Sequence, residues 1–289
     1  MRQKTKDAAG NEAARPFLKW AGGKAQLMAD YERLMPVLPP SVTYHEPFIG
    51  GGAVFFSLRA CGAVSGRAIL TDLNAHLMTT YAAVRDTPAP LAHRVLNLVA
   101  KHSDEEYYRE RERFNTEKLP PLERAALVIY LNKAGFNGLY RVNRKGLFNV
   151  PVGRQANGPS APTVEHLEAC SRALGGVDLF PAPFASVLDR AKAGDFVYFD
   201  PPYVPVSQTA FFTAYAWEGF GKAEQELLRD VFTQLDKRGC LVMLSNSGNL
   251  EVQQLYRGYD CTQLTARRSI NSKADARGPV TEVVIRNFK

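Results

Sequence analysis

One apolar segment ends at two consecutive prolines, and this junction limits the possible fold more than any other part of the sequence. Asp195–Phe199 has the pattern of a buried strand, and Asp200-Pro201-Pro202-Tyr203 follows it directly. Proline has no backbone N–H to donate, so a β-ladder stops where two prolines occur together. We therefore expect a rigid turn at the sheet edge that presents a carboxylate, a fixed carbonyl and an aromatic ring.

Other segments predict strands alternating with helices. Tyr44–Glu46 and Arg67–Thr71 are strand-like and each precedes a helical pattern, and the same rhythm returns after residue 168. There a helix is predicted over Lys222–Lys237, with strands over Cys240–Leu244 and Thr281–Arg286. This alternation predicts an α/β fold whose sheet is built from both ends of the chain.

The middle of the chain has a different character. Residues 79–167 are mostly helical in pattern, and glycines and asparagines over residues 135–149 predict turns and a β-hairpin. We predict a disordered leader over 1–14, a main domain over 15–78 and 168–289, and an inserted domain over 79–167. The alternative is one continuous α/β domain with a long surface excursion.

Composition narrows the function classes. A formal charge of +7 and a pI near 9.2 favour a polyanionic partner. Four scattered cysteines form no CxxC pair, which argues against a zinc or redox site. The sequence shows no signal-peptide pattern and no apolar stretch long enough for a membrane span, so we expect a cytoplasmic protein.

A glycine-rich loop over Glu46–Gly52 lies between a predicted strand and a predicted helix, where α/β sheets bind nucleotide-like ligands. Asp72 lies twenty positions after Gly52 (72 − 52), at the end of the next strand, where a carboxylate suits ribose hydroxyls. The loop has Phe55 where a full dinucleotide fingerprint needs glycine, and it lacks the lysine of a phosphate loop. It alone does not name the cofactor, and a helix-capping glycine turn is the alternative.

The tetrapeptide fits one kind of chemistry. The lone pair of an exocyclic ring amine is delocalised, and acceptors at Asp200 and the Pro201 carbonyl would draw it back onto nitrogen. Tyr203 would stack on the ring, and in-line attack on a sulfonium methyl then needs mainly orientation. A structural proline turn is the alternative.

Four segments together resemble the Dam-type DNA adenine methyltransferases (D12 class). They are Phe17–Lys24, the F-x-G-x-G pattern within Glu46–Gly52, Phe136–Arg141 with its continuation Phe148–Gly153, and Asp200–Tyr203. The cofactor loop precedes the catalytic tetrapeptide with the insert between them, which is similar to the order in the α group of this family.

The resemblance implies a Rossmann-like, S-adenosylmethionine-dependent catalytic domain, with residues 79–167 as the target recognition domain. It implies no metal and a monomer that flips adenine out of duplex DNA, with GATC as target. Catalytic roles fall on Asp200, Pro201, Pro202 and Tyr203. Cofactor contacts fall on Trp20, Lys24, Phe48, Gly50, Gly52, Asp72 and Asp200. From the residues alone, core packing of Trp20 and simple solvation of Lys24 are the favoured interpretations.

A basic, aromatic-rich stretch supports DNA contact. Six basic residues and one acidic residue lie from Glu123 to Gln155, and such clustering supplies phosphate affinity. The family pattern assigns DNA contacts to Lys19, Phe136, Asn137, Arg141, Arg144 and Lys145. The family often has tyrosine at the position of Phe136. Core packing of Phe136 and simple solvation of Arg144 and Lys145 remain alternatives, and Arg267-Arg268-Ser269 is a further candidate phosphate contact.

Three other functions remain open. The same chemistry on another DNA target would suit a restriction–modification system, and related tetrapeptides serve amine methylation on RNA or glutamine. A catalytically dead DNA-binding relative is the third possibility, and the motif residues argue against it because they are intact: Asp200, Tyr203, Phe48, Gly50 and Asp72. We also expect Pro205–Tyr215 to be a mobile loop that orders over the flipped adenine.

Overall fold

A computed structural model describes residues 12–20, 24, 27–202, 220–267 and 279–289. These residues contain seven strands: β1 Tyr44–Glu46, β2 Ala68–Asp72, β3 Asp178–Pro181, β4 Phe196–Phe199, β5 Leu241–Ser247, β6 Asp260–Arg267 and β7 Pro279–Arg286. They also contain nine α-helices: α1 Met28–Leu34, α2 Ala53–Ala60, α3 Ala75–Asp86, α4 Pro88–Ala100, α5 Asp104–Thr116, α6 Pro121–Ala134, α7 Val164–Ala173, α8 Lys222–Arg238 and α9 Leu250–Leu255.

The chain forms two compact units. The sheet unit comprises Lys24–Ile49, Val64–Leu73 and Ala182–Lys289, and the helical unit comprises Met1–Gly23, Gly50–Ala63 and Asn74–Pro181. The functional division predicted at residues 15–78, 79–167 and 168–289 is a separate matter and stays a prediction. Of the predicted leader, residues 1–11 lie outside the described part of the chain, and Ala13 is buried.

Strands of the sheet unit are neighbours in the order β2-β1-β4-β5-β7-β6. β1 runs parallel to β2 and β4, β4 runs parallel to β5, and β7 is antiparallel to both β5 and β6. The strands come from residues 44–72 and 196–286, which confirms the predicted α/β sheet built from both ends of the chain. Every residue of β4 is buried, as expected for a central strand covered on both faces.

Topology fixes where a site can form in this sheet. β1 and β4 are neighbours, and their sequence neighbours β2 and β5 lie on opposite sides of that pair. The loops after β1 and β4 therefore lead away in opposite directions, which leaves a crevice at their carboxyl ends. Phe48 follows β1 and Asp200 follows β4, so both residues lie at this edge.

Helix α8 covers the sheet with one apolar face, as its 3.6-residue periodicity predicts. Leu228, Val231, Phe232 and Leu235 are buried in one cluster with strand residues such as Val242. The helix ends at Gly239, whose left-handed backbone (φ 84°) suits glycine. Burial of this face fixes β4 and β5 against a rigid support.

The helical unit confirms the helical pattern read in the middle of the chain. Helix α6 is buried over Ala125–Asn132 and packs in a second core with Tyr107 and Val150. The predicted hairpin is a short antiparallel bridge between Val142 and Phe148. The backbone N–H of Asn143 donates to the carbonyl of Leu147, and the N–H of Leu147 donates to the side-chain oxygen of Asn143.

Strand β6 has no counterpart in the sequence prediction. Its described side chains, Asp260–Thr265, are exposed or half-buried, because β6 lies at the end of the strand order. An exposed edge strand needs no apolar alternation, so the pattern on which the prediction depends is absent.

Candidate active site

Asp200 begins the turn after β4, and its carboxylate is held by two partners in the sheet unit. The ammonium nitrogen of Lys24 lies 2.8 Å from Oδ1, and the Lys24 side chain is only 4% exposed. The hydroxyl of Ser245, on the neighbouring strand β5, donates to the same oxygen at 3.0 Å. Both contacts use Oδ1, so they hold that oxygen in place at the carboxyl edge of the sheet.

A second layer supports these partners. Glu282, on β7, places Oε2 3.9 Å from Nζ of Lys24 and accepts a hydrogen bond from the hydroxyl of Tyr31. Burial, followed by the charge of Glu282, raises the pKa of Tyr31, so its hydroxyl stays protonated as a donor. The Tyr198 hydroxyl lies 2.9 Å from the Ser245 hydroxyl. We call Lys24, Asp200, Ser245, Glu282 and Tyr31 the Asp200 cluster.

Pro201 and Pro202 continue the turn, and a buried side chain holds its backbone in place. The carbonyl of Pro202 accepts a hydrogen bond from the Gln225 side chain at 3.5 Å. Gln225 is buried, and its amide oxygen accepts from Asn246 at 3.0 Å. Tyr203 and the predicted loop Pro205–Tyr215 lie outside the described residues.

Phe48 lies in an aromatic group at the same edge of the sheet unit. Its ring stacks on Phe184 with centroids 5.2 Å apart, and it meets the edges of Phe220 and Phe199 at 5.6 and 6.3 Å. The prediction singled out Phe48 alone; Phe184 and Phe220 carry no motif that marks them. Asp72 ends β2 and is half-buried.

In the helical unit, the glycine loop is packed against aromatic side chains. A Cβ on Gly50 would lie 2.9 Å from Cδ1 of Trp20, and one on Gly52 would lie 2.6 Å from the hydroxyl of Tyr81. Both glycines have positive φ, 46° and 71°. Tyr81 also donates to the carbonyl of Gly50 at 3.0 Å. Packing and backbone conformation therefore both require glycine here, and Trp20 lies directly over the loop, stacked on Tyr140.

The short 3-10 turn Phe136–Gly138 follows α6 and displays two predicted DNA-contacting residues. Phe136 is 45% exposed, which argues against the alternative that it is a core residue. Asn137 is exposed and has a left-handed backbone (φ 54°), which asparagine tolerates better than most residues. We call this segment the Phe136 turn.

Arg141 is held by the other arm of the hairpin. Its Nε donates to the side-chain oxygen of Asn149 at 2.7 Å, and Nη2 donates to the Asn149 carbonyl at 3.2 Å. Arg144 and Lys145 are exposed at the tip, where the side chain of Asn143 accepts from the backbone of Lys145 at 2.9 Å. The tip is thus a defined turn rather than a loose loop.

Lys19 is exposed in the helical unit and belongs to a local group of cations. The pKa of Lys133 is lowered from 10.5 to about 8 by burial, then by the charges of Lys19 and Arg15. Lys133 is half-buried whereas Lys19 and Arg15 are exposed, and a group of like charges of this kind favours an anionic partner. Arg267 ends β6, whereas Arg268 and Ser269 lie outside the described residues.

Several supporting residues have no sequence signature, and only Ser245 could have been found. Ser245, Asn246 and Ser247 end an otherwise apolar strand with three buried polar side chains, and buried polar groups need partners. Glu282, Tyr31, Gln225 and Tyr81 are isolated polar residues in ordinary contexts.

Each unit has one feature that suits an adenosyl cofactor. The helical unit has a glycine cradle beneath the indole of Trp20, and the sheet unit has an acidic residue, Asp72, at the end of β2. No group of three or more histidine, cysteine, aspartate or glutamate residues in the described ranges has the arrangement to hold a metal. None of the helices that the structure describes has the length and apolar character to cross a membrane.

A mostly parallel sheet with a fixed acidic turn at its switch point defines an α/β enzyme with its site at the carboxyl edge of the strands. Residues 20–270 match the model of the D12 class of N6 adenine-specific DNA methyltransferases. The chain belongs to this family and is an adenine-specific DNA methyltransferase.

Three relatives illustrate the match. The Type II methyltransferase M1.LlaDCHI of Lactococcus lactis subsp. cremoris is 40% identical, over 95% of both chains. The Type II methyltransferase M.MjaIII of Methanocaldococcus jannaschii is 38% identical, over 95% of this chain and 99% of its own. The DNA adenine methylase of Escherichia coli K12 is 36% identical, over 93% of this chain and 94% of its own.

Proposed function

We propose that this methyltransferase uses S-adenosylmethionine to methylate N6 of adenine in GATC sites of duplex DNA, on a base flipped out of the helix. One observation carries the chemical part of the proposal: Asp200 is held by Lys24 and Ser245 at the start of a proline turn, at the sheet's switch point. A carboxylate fixed in this way is preorganised before any substrate binds.

The amine is a weak nucleophile because its lone pair is delocalised into the ring. Oδ2 of Asp200 and the carbonyl of Pro201 accept hydrogen bonds from its two N–H groups, which concentrates electron density on nitrogen. Tyr203 stacks on the adenine and keeps its plane aligned for in-line attack. Pro202 keeps the turn in place because its carbonyl accepts a hydrogen bond from the side chain of Gln225.

Six residues besides Asp200 are assigned to the cofactor: Trp20, Lys24, Phe48, Gly50, Gly52 and Asp72. When bound, S-adenosylmethionine supplies an electrophilic methyl group. Trp20 and the glycines offer a flat surface with little steric bulk, and Asp72 accepts from ribose hydroxyls. Lys24, whose ammonium contacts Asp200 in this structure, also suits the amino-acid end of the cofactor.

Residues 79–167, together with Lys19, are proposed to read the DNA. Phe136 fills the gap left by the flipped adenine, and Asn137 bonds the orphaned base. Arg141 contacts guanine: Asn149 holds the Nε–Nη2 side, and the Nη1–Nη2 end then suits O6 and N7 of the base. Arg144 and Lys145, exposed at the hairpin tip, contact phosphates.

A second candidate function keeps the chemistry and adds a partner. Two of the relatives are named Type II methyltransferases, a name that fits the modification half of a restriction–modification system. In that case the target sequence of the methyltransferase would be the one that a partner nuclease cleaves. A monomer suffices for the transfer in either case.

The deciding experiment supplies methyl-labelled S-adenosylmethionine and a panel of duplexes that each contain one candidate site. We expect label on adenine N6 only in duplexes containing GATC. Labelled adenine at another sequence would retain the chemistry and overturn the proposed target. If no duplex is labelled, either the proposed cofactor is wrong or the active site is inactive. Calorimetry with unlabelled S-adenosylmethionine would separate the two, because only an inactive site would still bind the cofactor.

A further inference from the structure

Asn132 is a buried polar residue in an apolar helix, and its side-chain amide is fully engaged. It lies near the end of α6, is 2% exposed, and is surrounded along the helix by buried residues. Its Oδ1 accepts from the backbone N–H of Lys19 at 2.8 Å, and Nδ2 donates to the carbonyls of Lys19 and Gly138 at 2.7 Å each. Burying an amide costs free energy unless all its polar atoms find partners, and a fully hydrogen-bonded amide holds the bonded backbone segments in one geometry.

These three bonds join two segments that are remote in sequence. Lys19 is bound through both its N–H and its C=O, so its backbone direction is fixed, and the third bond fixes the end of the Phe136 turn. The segments are also in close contact, since a Cβ on Gly138 would lie 2.3 Å from Cβ of Lys19. The positive φ of Gly138 (66°) and of Asn137 (54°) keeps the turn in this conformation.

The side chains attached to this junction point to solvent. Lys19, Phe136 and Asn137 are all exposed, while the amide that holds their backbones is buried. Exposed groups lose conformational freedom when they bind, and a fixed backbone reduces that loss. The arrangement therefore suits contacts that must meet a ligand with a set spacing.

We propose that Asn132 is a positioning residue for base reading: it locks the backbone of Lys19 to the Phe136 turn so that the two contact DNA in register. This inference rests on the proposed role of Lys19, Phe136 and Asn137 in reading the target. It adds that their mutual placement, and not their identity alone, determines sequence selectivity. Asn132 itself does not touch the DNA.

The test measures kcat and KM for a duplex with the preferred site and for duplexes that differ from it by one base pair. Asn132→Ser shortens the side chain and cannot make all three bonds. We expect the selectivity ratio in kcat/KM to fall about ten-fold, the size of one good base contact. The change should appear mainly in KM for the preferred duplex, with kcat at saturating DNA within about two-fold of wild type.

Asn287 offers a matched control in the sheet unit. Its Oδ1 accepts from the N–H of Val242 at 2.7 Å, and Nδ2 donates to Asp236 and to the carbonyl of Cys240 at 2.8 Å each. Asn287→Ser removes a similar set of bonds, and we expect a lower melting temperature with unchanged selectivity. A loss of selectivity equal to that of Asn132→Ser would show a general effect of destabilisation and overturn the inference.

Gly138→Ala attacks the same junction from its other side, because the added Cβ would collide with Lys19. It decides the question if Asn132→Ser does not fold, and it should reduce selectivity to a similar extent. Wild-type selectivity in every folded junction variant would overturn the inference. A wild-type enzyme that prefers a sequence other than GATC would overturn the proposed target only, and the same ratios would then be measured against that sequence.

Discussion

In the Asp200 cluster the charged side chains are buried or half-buried and are bonded to one another, whereas in the Phe136 turn the DNA-contacting side chains are exposed and the hydrogen bonds lie beneath them. Lys24 is 4% exposed and Phe136 is 45% exposed. In the first region strands β5 and β7 supply the supporting residues Ser245 and Glu282. In the second region a turn carries the functional groups, and a buried amide, Asn132, fixes its backbone.

This difference follows from what each region must meet. Chemistry on a single atom needs a charge whose position does not change, and a low-dielectric setting strengthens each contact to it. Reading a duplex needs side chains that reach outward, so order is built into the backbone instead. Substitutions in the two regions should therefore affect different measurable quantities.

The largest effect should come from the buried region. Asp200→Ala removes the acceptor for the amine, and we expect methyl transfer to fall by about 10²–10⁴-fold, with the dissociation constant for duplex DNA nearly unchanged. Single-turnover transfer and fluorescence anisotropy measure the two quantities. A variant with wild-type transfer rates would remove Asp200 from the chemistry.

Asp195 provides the control, because it precedes β4 as Asp200 follows it. Its carboxylate is bonded to His45 at 3.1 Å and to the backbone of Thr43 and Lys192. Asp195→Ala should lower the melting temperature and leave the transfer rate close to wild type when both are assayed well below that temperature. Equal losses in the two variants would mean that activity reports stability alone.

An intermediate effect is expected in the exposed region. Arg141→Ala removes the guanine contact, and discrimination at that base pair should fall by about 1–3 kcal/mol, while the rate on the best duplex changes less. Lys145→Ala, at the tip of the same hairpin, should weaken the binding of all duplexes alike. It should also reduce the slope of binding affinity against salt concentration by about the amount of one phosphate contact. Relaxed selectivity in Lys145→Ala and not in Arg141→Ala would reverse these roles.

The sequence was sufficient to predict a strand where a local residue pattern ends at a residue that terminates strands. β2 and β4 are short, mostly apolar runs that stop at Asp72 and at Asp200, and β1 stops at Pro47, so both the strands and the functional groups after them were predictable. The partners were not: Ser245 is 45 positions from Asp200, and Asn132 is 113 positions from Lys19. Such pairs meet through topology, which residue spacing alone does not encode.

The smallest effect concerns pH and the cations beside Lys19. Burial and neighbouring charges lower the pKa of Lys133 to about 8, against 10.5 for an ordinary lysine. An unfolded chain therefore binds more protons than the folded chain between about pH 8 and 10.5. The contribution of Lys133 to the free energy of unfolding therefore becomes more favourable as pH rises across that window. Below pH 8 the lysine is charged in both the folded and the unfolded chain, and the full cost of burying its charge remains.

DNA reverses the preference, because phosphates stabilise the charged lysine. Binding at pH 9 then requires uptake of a proton, so duplex affinity should fall as pH rises from 7 to 9, most steeply above pH 8. Anisotropy titrations at constant ionic strength measure this slope, and Lys133→Met should flatten it while retaining the side-chain length. An equal slope in both proteins would place Lys133 away from the phosphates and leave the reading region dependent on Lys19, Arg141 and the Phe136 turn alone.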